Sequence, residues 1–296
     1  MSQLTARFQN IYNIDKVHFL IVGCGAIGSY TAMALARAGG KTFSIYDNDV
    51  VATVNIGVQH FNTSHIGKSK VNMLARQMTE VNPAIRIKKV PNRYEPDMTW
   101  SRSWLSIPSQ VDTQILIIGV DSMNARSKVM EKYCDKIFKH WEYGIPGNGE
   151  DDHYRSGNYR NIYVIDARMG SETFQSNIFH FNPELRDRGE GIEGYEEHDW
   201  THDIHREEGQ RYRDDLKDRV EEFKSEYMET WYPDEDGDNE PCNARSTGYC
   251  ASMAAAFINN QVRKIVDETS LVNPEITFNF PSMTLLSTMD KSRLTT

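Results

Sequence analysis

The 296-residue sequence is poor in cysteine: Cys24, Cys134, Cys242 and Cys250 stand far apart and form no CxxC pair. That spacing argues against a disulfide framework and against a four-cysteine zinc site, and a reducing cytoplasm is the expected setting. Long apolar runs are missing as well. None approaches the roughly 20 residues a membrane span requires, and the mean hydropathy is −0.60. The opening stretch MSQLTARFQNIYNIDK contains neither the apolar core nor the small-residue cleavage site of a secretion signal. No basic cluster with interleaved aromatics occurs, so neither nucleic acid nor a membrane is an expected partner.

Charge is present but unevenly spread. The net charge is −9; between Glu184 and Glu240, 22 acids face 8 bases, a local −14, and the remainder carries 20 acids and 25 bases, or +5. The acidity belongs to one segment, and the body of the protein can still attract a polyphosphate. Within that segment Tyr212, Leu216, Val220, Phe223, Tyr227 and Trp231 step by three or four, one apolar stripe along an amphipathic helix. Such a stripe docks on the protein's own sheet or a neighbouring subunit, or it receives a partner.

Elsewhere strands alternate with helices. VHFLIV, KTFSIYD, IRIKKV, QILIIGVD, NIYVID, NIFHF and ITFNF read as strands, the first continuously apolar as a strand buried on both faces should be. Helices are expected over SYTAMALARAG, the segment around KSKVNMLARQMTEV, ARSKVMEKYCDKIFKHW and the small-residue run YCASMAAAFINNQVRKIVDE. This alternation predicts a Rossmann-like α/β fold, a mostly parallel sheet flanked by helices, with an acidic helical insertion. The expected division is a nucleotide-binding domain over 1–183, the insertion over 184–241, and a C-terminal helix and strand over 242–296 completing the first domain.

VGCGAIGS places Gly23, Gly25 and Gly28 in a GxGxxG turn directly after a strand and before a helix. Glycines there allow a tight turn and close backbone approach, and the helix N-terminus, with Ala26 and Ile27 in the turn, attracts phosphate. Asp47 ends the second strand about twenty residues on, where an acid meets ribose hydroxyls, and Asp49 follows in the same loop. The motif indicates adenosine without indicating whether hydride or phosphate chemistry follows.

Later residues favour phosphate chemistry. Asn55 and Gln59 lie in a polar loop, and Lys70 stands near a helix start where its ammonium can reach phosphate oxygens. Asp121 closes a buried strand with Arg126 five residues beyond. An acid at the end of a central strand lies in the ligand crevice of an open α/β sheet, suited to Mg²⁺ beside a polyphosphate. Breaking an α–β phosphate bond benefits from both charges; hydride transfer needs neither. Each residue also has a structural meaning on its own: Lys70 a solvated helix charge, Asp121 a helix cap, Asn55 a turn residue, Arg126 an ion-pair partner.

In VGCGAIGS, DNDVVATVNIGVQ, IGKSKV, Asn82-Pro83 and VDSMNAR, spanning roughly 17–126, the chain resembles the ThiF/MoeB adenylyltransferases, the family that includes ubiquitin-activating enzymes. The resemblance implies ATP and Mg²⁺, and adenylation of the C-terminal carboxylate of a small ubiquitin-like or sulfur-carrier protein or peptide. By that match Asp47 holds the ribose, Asn55, Gln59 and Lys70 contact phosphates, and Asp121 binds the magnesium. Also implied are a homodimer and, downstream, a conjugating enzyme. Two positions depart from the pattern: Val58 stands where many members have arginine, and Asn10 replaces the second of two N-terminal arginines, with Arg7 in the first place.

Cys242, ahead of Gly248 and near Arg245, is a candidate thioester nucleophile if its pKa is lowered; Cys250, inside the following helix, is a weaker one. His198, His202 and His205 have helical spacing but no cysteine partner, and read as exposed histidines rather than a metal site. The competing functions are an NAD-dependent oxidoreductase and a non-catalytic scaffold that binds a ubiquitin-like protein.

Overall fold

The computed structural model of the chain describes residues 13–94, 111, 113–142, 161–181, 202–231, 246–267 and 272–288. Among them eight strands form one sheet in the order β3-β2-β1-β4-β5-β6-β7-β8. β1 (Val17–Val22), β2 (Thr42–Tyr46), β3 (Arg86–Val90), β4 (Thr113–Ile118) and β5 (Asn161–Met169) are parallel. β6 (Thr173–Phe181), β7 (Glu275–Asn279) and β8 (Thr284–Ser287) extend the sheet antiparallel. The helices are α1 (Ala26–Arg37), α2 (Lys70–Val81), α3 (Met123–Glu142), α4 (His202–Met228) and α5 (Gly248–Asp267). The fold is the Rossmann-like α/β arrangement expected, with β8 as an addition: its TLLS residues are all exposed and carry no alternation.

Successive strand residues point to opposite faces, so each central strand feeds two cores. Phe19 and Ile21 pack with Leu35 of α1, Leu74 of α2 and Ile258 of α5. Leu20 and Val22 face Met130 and Tyr133 of α3 and Leu216 of α4. The small residues of α5 permit close packing: Ala251 and Ala254 share a core with Ala32 and Ala36 of α1.

Helix α1 stops at Gly39-Gly40. Gly39 has φ +96°, and its N–H donates to Ala36 while that of Gly40 donates to Leu35, at 3.2 and 3.0 Å, a Schellman turn. The buried Asn82 amide then donates to Ala36 O at 3.3 Å and Gly40 O at 3.0 Å, fastening the end of α2 to the end of α1.

The acidic helix docks on its own sheet. Leu216, Val220, Phe223 and Tyr227 are buried against α3 and β6. The Phe223 ring centroid lies 5.3 Å from that of Phe181, and the Tyr227 centroid 5.3 Å from that of Phe179. Trp231 falls beyond the helix and is partly exposed.

A buried polar chain crosses the sheet near the amino ends of its parallel strands. Tyr133 OH donates to Gln114 Oε1 at 2.7 Å, Gln114 Nε2 meets His18 Nδ1 at 3.0 Å, and His18 Nε2 meets Ser44 Oγ at 2.9 Å. Each side-chain polar group finds a partner, as burial demands, and β1, β2 and β4 are held in register. Among the described residues no helix is long and apolar enough to cross a membrane.

Candidate active site

At the carboxyl end of β1 the chain reverses through the glycine turn into α1. Gly23 has φ +96°, and a Cβ there would stand 2.7 Å from the Gly119 carbonyl group. At Gly28 a Cβ would meet Gly23 O at 1.8 Å. Gly119 N donates to Val22 O at 2.8 Å, and Gly23 N to Tyr46 O at 2.9 Å. Three glycines therefore press the turn against the end of β4, backbone on backbone. Gly25 is different. Its backbone is extended, it caps α1 without a side-chain hydrogen bond, and a Cβ would find only Gln59 Nε2, at 4.0 Å. This open position fronts the first turn of α1, formed by Ala26, Ile27 and Gly28, where a helix presents N–H groups that lack intrahelical acceptors.

Asp47, just past β2, accepts from Cys24 N at 2.6 Å and from Asp49 N at 2.8 Å. Burial raises its carboxyl above the ordinary value, opposed by these two N–H groups and by Lys70. One backbone donor per oxygen leaves further lone pairs for hydroxyl groups. Lys70 is only 6% exposed, and its Nζ pairs with Asp49 Oδ2 at 2.9 Å. It is the first residue of α2, behind the N-cap Ser69, and its N–H donates to Asp49 O at 3.0 Å. A solvated helix charge does not describe it.

The polar loop is pinned from both ends. Asn55 Oδ1 accepts from Ala52 N at 2.8 Å, the turn role open to it from sequence. Gln59 N donates to Asn55 O at 2.8 Å, while Gln59 Oε1 is buried without a hydrogen-bond partner among the described residues. His60 N donates to Ser29 Oγ at 2.9 Å, and His60 Nδ1 meets Gln77 Oε1 at 2.8 Å. The start of α5 abuts the same loop: a Cβ on Gly248 would lie 2.9 Å from Gly57 O.

Asp121 is exposed, three residues beyond the last residue of β4. Ser122 takes the capping role, its Oγ accepting from Ala125 N at 3.1 Å. Arg126 requires a correction. Its guanidinium is buried and donates to Asp166 Oδ1, to Val120 O and, at 3.4 Å, to Ile118 O. A nucleotide contact for Arg126 gives way to the ion-pair role, because a desolvated guanidinium stays with a buried carboxylate. Among the described residues no group of three His, Cys, Asp or Glu could hold a metal. A cation at Asp121 would need oxygens from a ligand, which suits Mg²⁺ on a nucleotide phosphate.

Cys242 lies outside the described residues, as do Arg7, Asn10, His198 and Arg245 and the side chains of His202 and His205. Cys250 is buried within α5, and burial pushes its thiol up to about 11; Cys134 is pushed to about 12 and Cys24 well above the ordinary range. None of these three thiols is activated. Three contributors went unread in the sequence: Gly119, Ser29 and Asp166. The first had a signal, a glycine between a buried strand and an acid. Asp166 had one too, as an acid ending the apolar run NIYVI.

A mostly parallel open sheet with a glycine turn and strand-end acids at the carboxyl end of its parallel strands, and a buried lysine beside them, has the architecture of open α/β proteins whose ligand crevice lies at that end. The sequence model of the ThiF family matches residues 3–293, and the chain belongs to that family. It is similar to ubiquitin-like modifier-activating enzyme 5 of Drosophila grimshawi, 29% identical over 140 residues, covering 45% of this chain and 35% of that protein. It is also similar to tRNA threonylcarbamoyladenosine dehydratase of Escherichia coli K12, 33% identical over 118 residues, 40% of this chain and 41% of the other. A third relative is the adenylyltransferase and sulfurtransferase UBA4 of Candida glabrata, 34% identical over 89 residues, 30% of this chain and 21% of the other. The chain thus spans well under half of these curated relatives. Among solved structures, selenomethionine PaaA shares the fold, with TM-score 0.54 and 14% identity over 93% of this chain and 64% of that one.

Proposed function

We propose that the protein is an ATP-dependent adenylyltransferase acting on the C-terminal carboxylate of a small ubiquitin-like or sulfur-carrier protein or of a peptide. The observation that carries this reading is the pairing of an open glycine, Gly25, just past β1, with a buried ammonium, Lys70 at the start of α2, which is bound to Asp49 just past the adjacent strand β2. ThiF-family membership supports adenylation over hydride transfer, and the relatives' names supply the carrier class.

In this reading the triphosphate lies over Gly25 and the first turn of α1, with the ribose on Asp47. Gln59, whose carbonyl oxygen has no partner among the described residues, turns its amide towards the phosphates, and Asn55 borders them. A carboxylate oxygen of the substrate bonds to the α-phosphorus as the α–β bridging bond breaks, and pyrophosphate leaves with the bridging oxygen. Lys70 offsets the charge that grows on that leaving group. Asp121 would hold Mg²⁺, which supplies Lewis-acid stabilisation of the phosphate oxygens when bound. Cys242 is the proposed acceptor for a thioester step, and a homodimer the proposed assembly.

The test is ATP–pyrophosphate exchange in the presence of carrier proteins ending in Gly-Gly, short peptides, or tRNA. Exchange with a carrier or peptide, lost on Asp121→Ala, supports the reading. Exchange with tRNA alone moves the substrate to another class. A Mg²⁺-dependent exchange that survives unchanged in Asp121→Ala overturns the role of Asp121. No exchange with any substrate, together with retained carrier binding, leaves a scaffold.

A further inference from the structure

We propose that Asp166, Arg168 and Thr230 are positioning residues for the loop that carries Asp121, acting through Arg126. The functional half of this proposal rests on the assignment of Asp121 above; the structural half stands without it.

Asp166 is fully buried on β5, where it is the register partner of Ile118 at the end of β4. One carboxylate oxygen takes Arg126, and the other takes Arg168 Nε at 2.8 Å and Nη2 at 2.6 Å. Arg126 reaches back across the start of α3 to the carbonyls of Ile118 and Val120. Those two carbonyls bracket Gly119, the residue against which the glycine turn packs. The guanidinium thus holds the last fixed stretch of backbone before Asp121, and Asp166 fixes the guanidinium.

On its other side Arg168 ties down the end of the acidic helix. Its Nη1 donates to Thr230 O at 2.8 Å and its Nη2 to Thr230 Oγ1 at 2.9 Å. Thr230 Oγ1 in turn donates to Tyr227 O at 2.8 Å, in the last turn of α4. A cation at a helix C-terminus is favourable, and charge-assisted bonds in a dry interior are directional. Two guanidiniums on one carboxylate leave one surplus positive charge, and it is backbone carbonyls at the ends of β4 and α4 that orient the pair. The result is a continuous chain of polar contacts from the insertion helix to the residue before Asp121. A purely structural ion pair has no need to terminate on the backbone of that loop.

The experiment uses the full-length protein with Asp166→Asn, Thr230→Val and, as a control, Leu216→Ala. Leu216 is an apolar side chain buried on the same helix, fourteen residues before Thr230. Amide hydrogen exchange of the 119–124 segment is measured without nucleotide, and the Mg²⁺ concentration for half-maximal ATP–pyrophosphate exchange is measured with it. In Asp166→Asn we expect the 119–124 amides to exchange about 3- to 30-fold faster and the Mg²⁺ requirement to rise by a similar factor. Thr230→Val, which keeps its carbonyl, is expected to shift both by about two- to threefold, and it carries the test if Asp166→Asn does not fold. Leu216→Ala is expected to lower the melting temperature while leaving both readouts at their wild-type values. Wild-type protection at 119–124 in folded Asp166→Asn or Thr230→Val overturns the proposal, as does Leu216→Ala moving both readouts equally. Absence of pyrophosphate exchange in the wild type counts against the proposed function alone, and hydrogen exchange still decides the coupling.

Discussion

The glycine turn separates stability from binding, and alanine scanning of its glycines tests that separation. Gly23→Ala places a Cβ 2.7 Å from the Gly119 backbone at φ +96°. The left-handed backbone costs about 1–2 kcal/mol and overpacking against main chain about 1–3 kcal/mol, together roughly 2–5 kcal/mol. At about 2–4 °C per kcal/mol for a chain of this order of size, the melting temperature falls by roughly 5–20 °C. Gly28→Ala, with its Cβ 1.8 Å from a carbonyl oxygen, is worse. Gly25→Ala has an extended backbone and no contact closer than 4.0 Å. The loss of unfolded-chain freedom gains about 0.4–1 kcal/mol, and a poorer N-cap costs a similar amount. Its melting temperature stays within about 3 °C of wild type. Its methyl group instead fills the place where phosphate would approach the helix, and ATP·Mg²⁺ affinity by calorimetry drops at least about tenfold, which corresponds to about 1.4 kcal/mol. Differential scanning calorimetry beside the titration reads both quantities. Gly25→Ala with wild-type nucleotide affinity, or melting far below wild type, refutes this account of the turn.

Lys70→Met keeps the apolar stem of a buried side chain. The variant removes the ion pair of Asp49, whose side chain is 59% exposed, and one of several groups that offset the burial of Asp47, which keeps its two backbone N–H donors. Its melting temperature should change little, while pyrophosphate exchange falls by about 100-fold; a loss seen only in stability would contradict the phosphate role. Burial, with help from Lys88 and Lys136, holds the His18 imidazole down at about 3. The unfolded chain therefore binds that proton first as the pH drops below about 6.5. Stability should decline by about 1.4 kcal/mol per pH unit from there towards pH 3. Urea unfolding of His18→Gln should lack that part of the acid limb; an unchanged slope would show that His18 does not titrate as its burial requires.

Much of the site was legible because its logic is local. The apolar run ending in Gly23, the spacing to Asp47 and the acid after QILIIGV each lie within one strand–turn–helix unit. Arg126 was misassigned for the opposite reason. Its partner Asp166 is forty residues away, and no local spacing distinguishes a ligand from half of a long-range ion pair. Asp49 could be placed in the loop, but its bond to Lys70 depends on the bridge between Val50 and Ser69. Strand β8 escaped because Leu285 and Leu286 are both exposed, so neither alternation nor a buried run marks it. The stripe on α4 was visible from Leu216 to Tyr227; what it covers emerged only with Phe179 and Phe181 opposite it.

The contact between the glycine turn and the end of β4 has one more consequence. Because Gly23, Gly28 and Gly119 touch through main chain, the two walls they support cannot hinge apart without breaking the sheet. The freedom of that region is surrendered during folding rather than at the moment a nucleotide arrives, so this side of the crevice meets its ligand preorganised. Any adjustment on ligand entry is left to the exposed stretch Ala52, Thr53 and Val54, between the core anchors Val51 and Phe61.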